Sequence, residues 1–183
     1  ARFAEGFYQA TMTEPMGPVF VSVPVDDWDK ACDLIEPRQV LTRRGVDPAA
    51  LAAVGEALDA AKSPVIVVGS DVDRSGAFED VVQLAERFQA PVWVAPRTYR
   101  CGFPETHPHF RGSLPPAIGP AGKTLYGHDL VLVVGSSVFP YSPHIPGPAL
   151  PSGTALVAIT NDPDEAARAP MGDAILADVA LTL

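Results

Sequence analysis

Two apolar runs without a polar interruption, Val65-Ile-Val-Val68 and Val92-Trp-Val94, constrain the fold of this chain more than any other feature. A strand with one wet face alternates apolar and polar side chains. A run without alternation is covered on both faces, as in a parallel sheet. Between the two runs, Phe78, Val81, Val82, Ala85 and Phe88 recur at helical spacing and make one apolar stripe. Strand, crossover helix and strand over residues 63–95 form a βαβ unit, which is expected to be right-handed.

The pattern continues on both sides of this unit. Residues 2–12 read as a helix and residues 16–24 as a short strand. Asp47-Pro48 is an N-cap followed by proline at the first helical position. Leu51, Val54 and Leu58 supply the buried face of that helix, which stops at Ser63-Pro64. Residues 96–120 and 139–151 are proline-rich and read as long, stiff loops, the first of them longer than a compact domain usually tolerates without a function. Residues 121–126 suggest a short helix. Leu130-Val-Leu-Val-Val134 is a buried strand that ends at Gly135 as the first ends at Gly69, and residues 155–159 and 174–179 supply two more strands. Between these last two, Asp162-Pro163-Asp-Glu165 repeats the capped start of a helix, with acids in its first turn. Alternating strands and helices imply an α/β sandwich of Rossmann-like type. On this reading residues 1–25 end another domain or pack on a neighbour, residues 26–46 are a linker, and residues 47–183 form the α/β domain.

A chain of 183 residues that is 47% hydrophobic can bury a core. Its net charge of -9 argues against nucleic acid and anionic membranes as partners. No apolar run approaches the roughly 20 residues that span a bilayer, and no basic start with an apolar core marks a secretory signal, so a cytoplasmic protein is expected. Cys32 and Cys101 stand far apart without ligand-like spacing and are expected to be free thiols.

The motifs that bring chemistry to such folds are missing. No two of the fifteen glycines stand two or four apart, which excludes both the dinucleotide fingerprint G-x-G-x-x-G and the nucleophile elbow G-x-S-x-G. Walker A, H-E-x-x-H and C-x-x-C motifs are absent too. Gly69 and Gly135 end strands where ligands bind in these sheets, but Ser70-Asp-Val-Asp73 follows the first and would repel a diphosphate, so the glycines are read as turning the chain. His107-Pro-His109 offers two metal ligands without a third. His128 reads as a turn residue and His144 has no evident partner. His107 lies in the long loop after the Trp93 strand, expected on the carboxyl side of the sheet. Loops there often carry function, and an imidazole suits proton transfer near neutral pH. Residue chemistry by itself favours a solvated loop histidine, and no complete active site emerges.

Several stretches nevertheless resemble one family, in one order. Gly17-Pro-Val-Phe-Val-Ser-Val-Pro-Val-Asp-Asp-Trp-Asp-Lys30 resembles the junction between the first and second domains of thiamine-diphosphate-dependent decarboxylases. Ala90-Pro-Val-Trp-Val-Ala-Pro96, His107-Pro-His-Phe-Arg-Gly112, Gly127-His-Asp-Leu-Val-Leu-Val-Val-Gly135 and Glu165-Ala-Ala-Arg-Ala-Pro-Met-Gly-Asp173 are similar to the central domain of the benzoylformate decarboxylase branch. The resemblance implies a three-layer sandwich of the NAD/FAD-binding type, with a mainly parallel sheet of about six strands. It makes residues 1–25 the tail of the preceding pyrimidine-binding domain. It also implies a homotetramer that decarboxylates a 2-oxo acid with thiamine diphosphate and Mg²⁺, in which the central domain of this branch holds no nucleotide. Of the family's catalytic groups only the histidine of the His-Pro motif has a match here, His107.

The departures from the family are equally informative. Its diphosphate motif needs Gly-Asp-Gly followed by Asn-Asn, whereas Asn161 is the single asparagine of this chain and Gly172-Asp173 is followed by alanine. The resemblance therefore implies a fragment that binds no cofactor itself and is inactive alone, its partners being the remaining domains of the same chain and further copies. Two other readings stay open at this point. One is a nucleotide module using the Gly69 and Gly135 edges for FAD or ADP, and the other is a purely structural domain.

Overall fold

The computed structural model describes residues 2–33, 36, 38–137, 139 and 143–183 of the chain. Part of the sequence-derived linker, at residues 34, 35 and 37, and part of the second proline-rich loop, at residues 140–142, lie outside the described residues. The chain divides into two compact units, Ala1–Arg43 and Arg44–Leu183.

In the first unit the helix α1 (Arg2–Thr11) forms as its sequence suggests. Residues 16–24, expected as a strand, form no element and make no ladder. A strand exists only by pairing, and none of the six paired strands lies in this unit. The stretch instead lies beside α1, where Gly6 leaves room for the Val21 side chain. Phe3, Phe7, Phe20 and Trp28 are all exposed.

The second unit is built on the expected βαβ core. It begins with α2 (Pro48–Ala60), whose cap Asp47 accepts from the Ala49 and Ala50 N–H groups. The strand β1 (Pro64–Val68) follows, buried at every position. A short helix α3 (Ser70–Ser75) comes next, then α4 (Phe78–Phe88) and β2 (Val92–Val94). The remaining elements are β3 (Phe110–Ser113), α5 (Ile118–Thr124), β4 (Leu130–Val134), β5 (Ala155–Thr160), α6 (Pro163–Arg168), β6 (Asp173–Leu176) and α7 (Val179–Thr182). The sheet is six-stranded in the order β3-β2-β1-β4-β5-β6, and every pair is parallel. The expected fold class, an α/β sandwich with about six strands, is the observed one.

Alternate side chains of each central strand serve opposite faces. Ile66, Val68, Leu132 and Val134 meet Val54, Leu58, Val81, Ala85 and Val179 on one side. Val65, Val67, Val131 and Val133 meet Leu114, Ala121, Leu125 and Phe139 on the other. Two apolar layers, each closed by helices, explain why the strands read as unbroken apolar runs.

Four details differ from the sequence reading. Leu51 is largely exposed, although it was expected on the buried face of α2. The first long loop contains β3, an edge strand of sequence Phe-Arg-Gly-Ser with no apolar run to announce it. The helix α3 carries a single buried residue, Val72, among polar ones. The last strand ends at Leu176, because Asp178 turns inward to cap α7 through the Leu181 N–H.

Where β4 begins, Asp129 accepts from the Lys62 N–H at 2.7 Å and the Ser63 N–H at 2.9 Å, tying the end of α2 to the start of two central strands. Those two donors hold its carboxyl below the ordinary carboxylate range. A carboxylate with a depressed folded-state pKa stabilises above its unfolded value, and that contribution is lost as pH falls through the folded value. Asp129→Ala should cost about 1 kcal/mol at pH 7. The gap between wild type and variant should close on acidification, as read by urea unfolding at pH 7 and pH 3.

Candidate functional site

In a sheet of this strand order the chain departs in opposite directions from β1 and β4, and ligands usually lie in the crevice beyond their carboxyl ends. Here the backbone of the two turns packs closely at the strand ends. The Gly69 N–H donates to Val134 O at 2.9 Å and the Asp71 N–H to Gly135 O at 3.1 Å. A Cβ on Gly69 would collide with Ser136 and with the Gly135 carbonyl, and one on Gly102 would lie 2.8 Å from Gly69 O. Gly135 has φ +64°, and a Cβ there would meet Asp71. A void lined by Val67, Ala95, Leu125, Val133 and Phe139 among others measures about 20 Å³, which is room for one water.

The electrostatics point the same way. Burial pushes the Glu165 carboxyl up, and the charges of Asp162 and Asp71 push it further, against a hydrogen bond from Thr160 and the charge of Arg168. An edge crowded with backbone and carboxylates is a poor place for a diphosphate. The nucleotide-binding reading is therefore not favoured, and the two glycines serve close chain approach, as their sequence context suggests.

His107 lies elsewhere than expected. The chain leaves β2 at the carboxyl edge and passes Gly69 at Gly102. It then buries Phe103 completely in the core layer shared with α4. The segment then reaches β3, whose first residue, Phe110, stands beside Val92, the first of β2. His109 O accepts from the Val92 N–H at 2.9 Å. His107 therefore sits at the amino edge of the sheet, not the carboxyl edge. The reason is topological: a parallel neighbour must start where its partner starts, so the connection has to travel back across the sheet. The sequence reading missed β3 and so misplaced the loop.

At that edge the imidazole is held on three sides. Its Nδ1 accepts from the His109 N–H at 3.2 Å, and its Nε2 lies 3.3 Å from Glu86 Oε1 at the end of α4. The Phe103 ring stands edge-on at 5.0 Å between centroids. The backbone around it is also tied, through His107 N–H to Pro104 O and Phe110 N–H to His107 O, both at 3.0 Å. Arg111 closes the turn with a bond to Pro108 O at 2.7 Å. The His107 side chain is only 14% exposed, against 57% for Glu86. Glu86 was not singled out by sequence reasoning: it stands 21 residues away and carries no motif.

Of the other histidines only His109 stands at this site. The His109 ring lies beside that of His107, 5.3 Å between centroids. Among the described residues no group of three or more His, Cys, Asp or Glu side chains is arranged to hold a metal ion. His128 Nδ1 is 3.0 Å from Ser63 O and 3.1 Å from Ser63 Oγ. A carbonyl only accepts, so Nδ1 carries the proton and cannot act as a base for that hydroxyl. His144 is exposed, and so are the free thiols Cys32 and Cys101.

Comparison with known proteins adds the wider setting. Residues 51–183 match the family described as thiamine pyrophosphate enzyme, central domain. The chain is 48% identical over 179 residues to a benzoylformate decarboxylase of Pseudomonas aeruginosa, covering 96% of this chain and 34% of that protein. It superposes on the benzoylformate decarboxylase of Polynucleobacter necessarius with a TM-score of 0.89 and 41% identity, over 96% of this chain and 33% of that one. A thiamine diphosphate-dependent 4-hydroxybenzoylformate decarboxylase of Rhodococcus jostii gives a TM-score of 0.87 at 43% identity, over 95% and 34%. The chain thus spans about a third of the length of these relatives.

The close approach at the carboxyl edge is directly testable. Gly69→Ala should lower the unfolding free energy by about 1–3 kcal/mol, because the new methyl meets backbone that cannot yield. Chemical denaturation of the variant, with Gly76→Ala and Gly153→Ala as positions where the cost is backbone strain without crowding, measures it.

Proposed function

The chain belongs to the thiamine pyrophosphate enzymes, as their central domain, and from that premise we propose that it serves a decarboxylase of 2-oxo acids, contributing structure, subunit contacts and the imidazole of His107. The observation that carries this reading is the agreement of sequence and fold with benzoylformate decarboxylases over nearly the whole chain. The substrate is accordingly a small 2-oxo acid.

Thiamine diphosphate and Mg²⁺ do not fit the residues of this chain. Asn161 is its single asparagine, no Gly-Asp-Gly occurs, and no three-ligand cluster stands among the described residues. Cofactor and metal belong to other parts of the whole protein, and the 183 residues alone are inactive. In this proposal residues 1–25 end the pyrimidine-binding domain, residues 26–46 link it, and residues 47–183 form the central domain. The whole protein is a cytoplasmic homotetramer. The net charge of -9 on these 183 residues disfavours nucleic acid and anionic membranes, and no helix among the described residues is long and apolar enough to cross a membrane.

His107 is the one candidate catalytic group of the chain. An imidazole both gives and takes a proton near neutral pH. With Nδ1 bonded to its own loop, Nε2 is the ring atom left to face a reacting group. His107→Ala in the full-length enzyme should lower turnover about 10²-fold or more. Unchanged turnover would leave the domain a purely structural one. Benzoylformate mixed with thiamine diphosphate, Mg²⁺ and the 183-residue chain should yield no aldehyde, and any turnover would overturn the assignment of the chemistry to other domains.

A further inference from the structure

We propose that Glu86 is a positioning residue for His107, fixing the imidazole as the tautomer protonated on Nε2 and aiming that N–H. The inference rests on the reading of His107 as a proton-transfer group, but its geometry stands independently. In a neutral imidazole one nitrogen donates and the other accepts. The His109 N–H can only donate, so Nδ1 is the acceptor and the proton resides on Nε2. Glu86 Oε1, 3.3 Å from Nε2, is an acceptor of the right sign to receive it. Glu86 and His109 are the titratable side chains recorded against the ring. Phe103, fully buried beneath it, blocks rotation toward the core.

The pair is unequal in a way that suits transfer. Nδ1 is tied to backbone that the β3 pairing fixes, whereas Glu86 is a half-exposed side chain in the last turn of α4 and can swing aside. Releasing Glu86 uncovers the Nε2–H without disturbing the fold of the loop. Glu86 would thus hold His107 in register between turnovers. Outside this role the contact has little to do, since a hydrogen bond to a carboxylate this exposed adds little to stability.

The test uses histidine ¹⁵N labelling of the 183-residue chain. Wild type should show His107 protonated on Nε2, with that N–H slowed in exchange with water. Glu86→Ala should speed the exchange about tenfold or more and let the second tautomer appear. Glu86→Gln, whose amide oxygen still accepts, should retain the wild-type signature, while all three chains unfold at closely similar temperatures. A wild-type ring protonated on Nδ1, or an Ala variant with an unchanged Nε2–H, would overturn the proposal. In the full-length enzyme Glu86→Ala should lower kcat with KM little changed, and Glu86→Gln should restore most of it. If the NMR result holds while His107→Ala leaves turnover intact, the positioning stands and the catalytic reading of His107 fails.

Discussion

Pairing of Val65–Val68 with Val131–Val134 along the centre of the sheet is the contact on which the rest of the structure depends. Both strands are dry on both faces, so their backbone polar groups must be satisfied within the sheet and their side chains must fill two separate apolar layers. This demands helices above and below and parallel neighbours on each side. It also fixes where the chain turns: both strands end in glycine, and the two turns approach each other so closely that side chains are excluded. The same closeness brings backbone and the Asp71 and Glu165 carboxylates to the edge where sheets of this order usually hold a nucleotide, a poor setting for a diphosphate.

The consequence for function is a displaced site. Carboxylates crowd the carboxyl edge, whereas His107 stands at the opposite edge, carried there by a connection that doubles as a crossover. Phe103 anchors this connection in the core and Arg111 ties its last turn, so His107 has a defined orientation on a segment without helix or strand. A side chain presented in this way serves a neighbouring domain better than a pocket of its own, which agrees with a chain that spans about a third of its relatives.

The central part of this fold was readable in the sequence because burial on both faces leaves a mark: Val65–Val68, Val92–Val94 and Leu130–Val134 are unbroken apolar runs, and α4 keeps its helical stripe. Elements at the margin left no such mark. The edge strand β3 offers arginine, glycine and serine to solvent, and α3 buries one residue in six. Missing β3 placed His107 at the wrong edge, although the resemblance of its His-Pro motif to the decarboxylases had already singled it out. Glu86 was illegible for a different reason. On an amphipathic helix a polar-face glutamate looks like any other, and only the three-dimensional return of the loop brings it to Nε2.

The central claim is that these 183 residues are one domain of a larger thiamine-dependent decarboxylase. Reading the coding sequence on both sides of the segment tests it most directly. The account predicts an upstream pyrimidine-binding domain and a downstream Gly-Asp-Gly followed by Asn-Asn. Start and stop codons bracketing the segment, with neither domain encoded in the same frame, would contradict it and leave a stand-alone α/β domain whose His107 has no cofactor to serve.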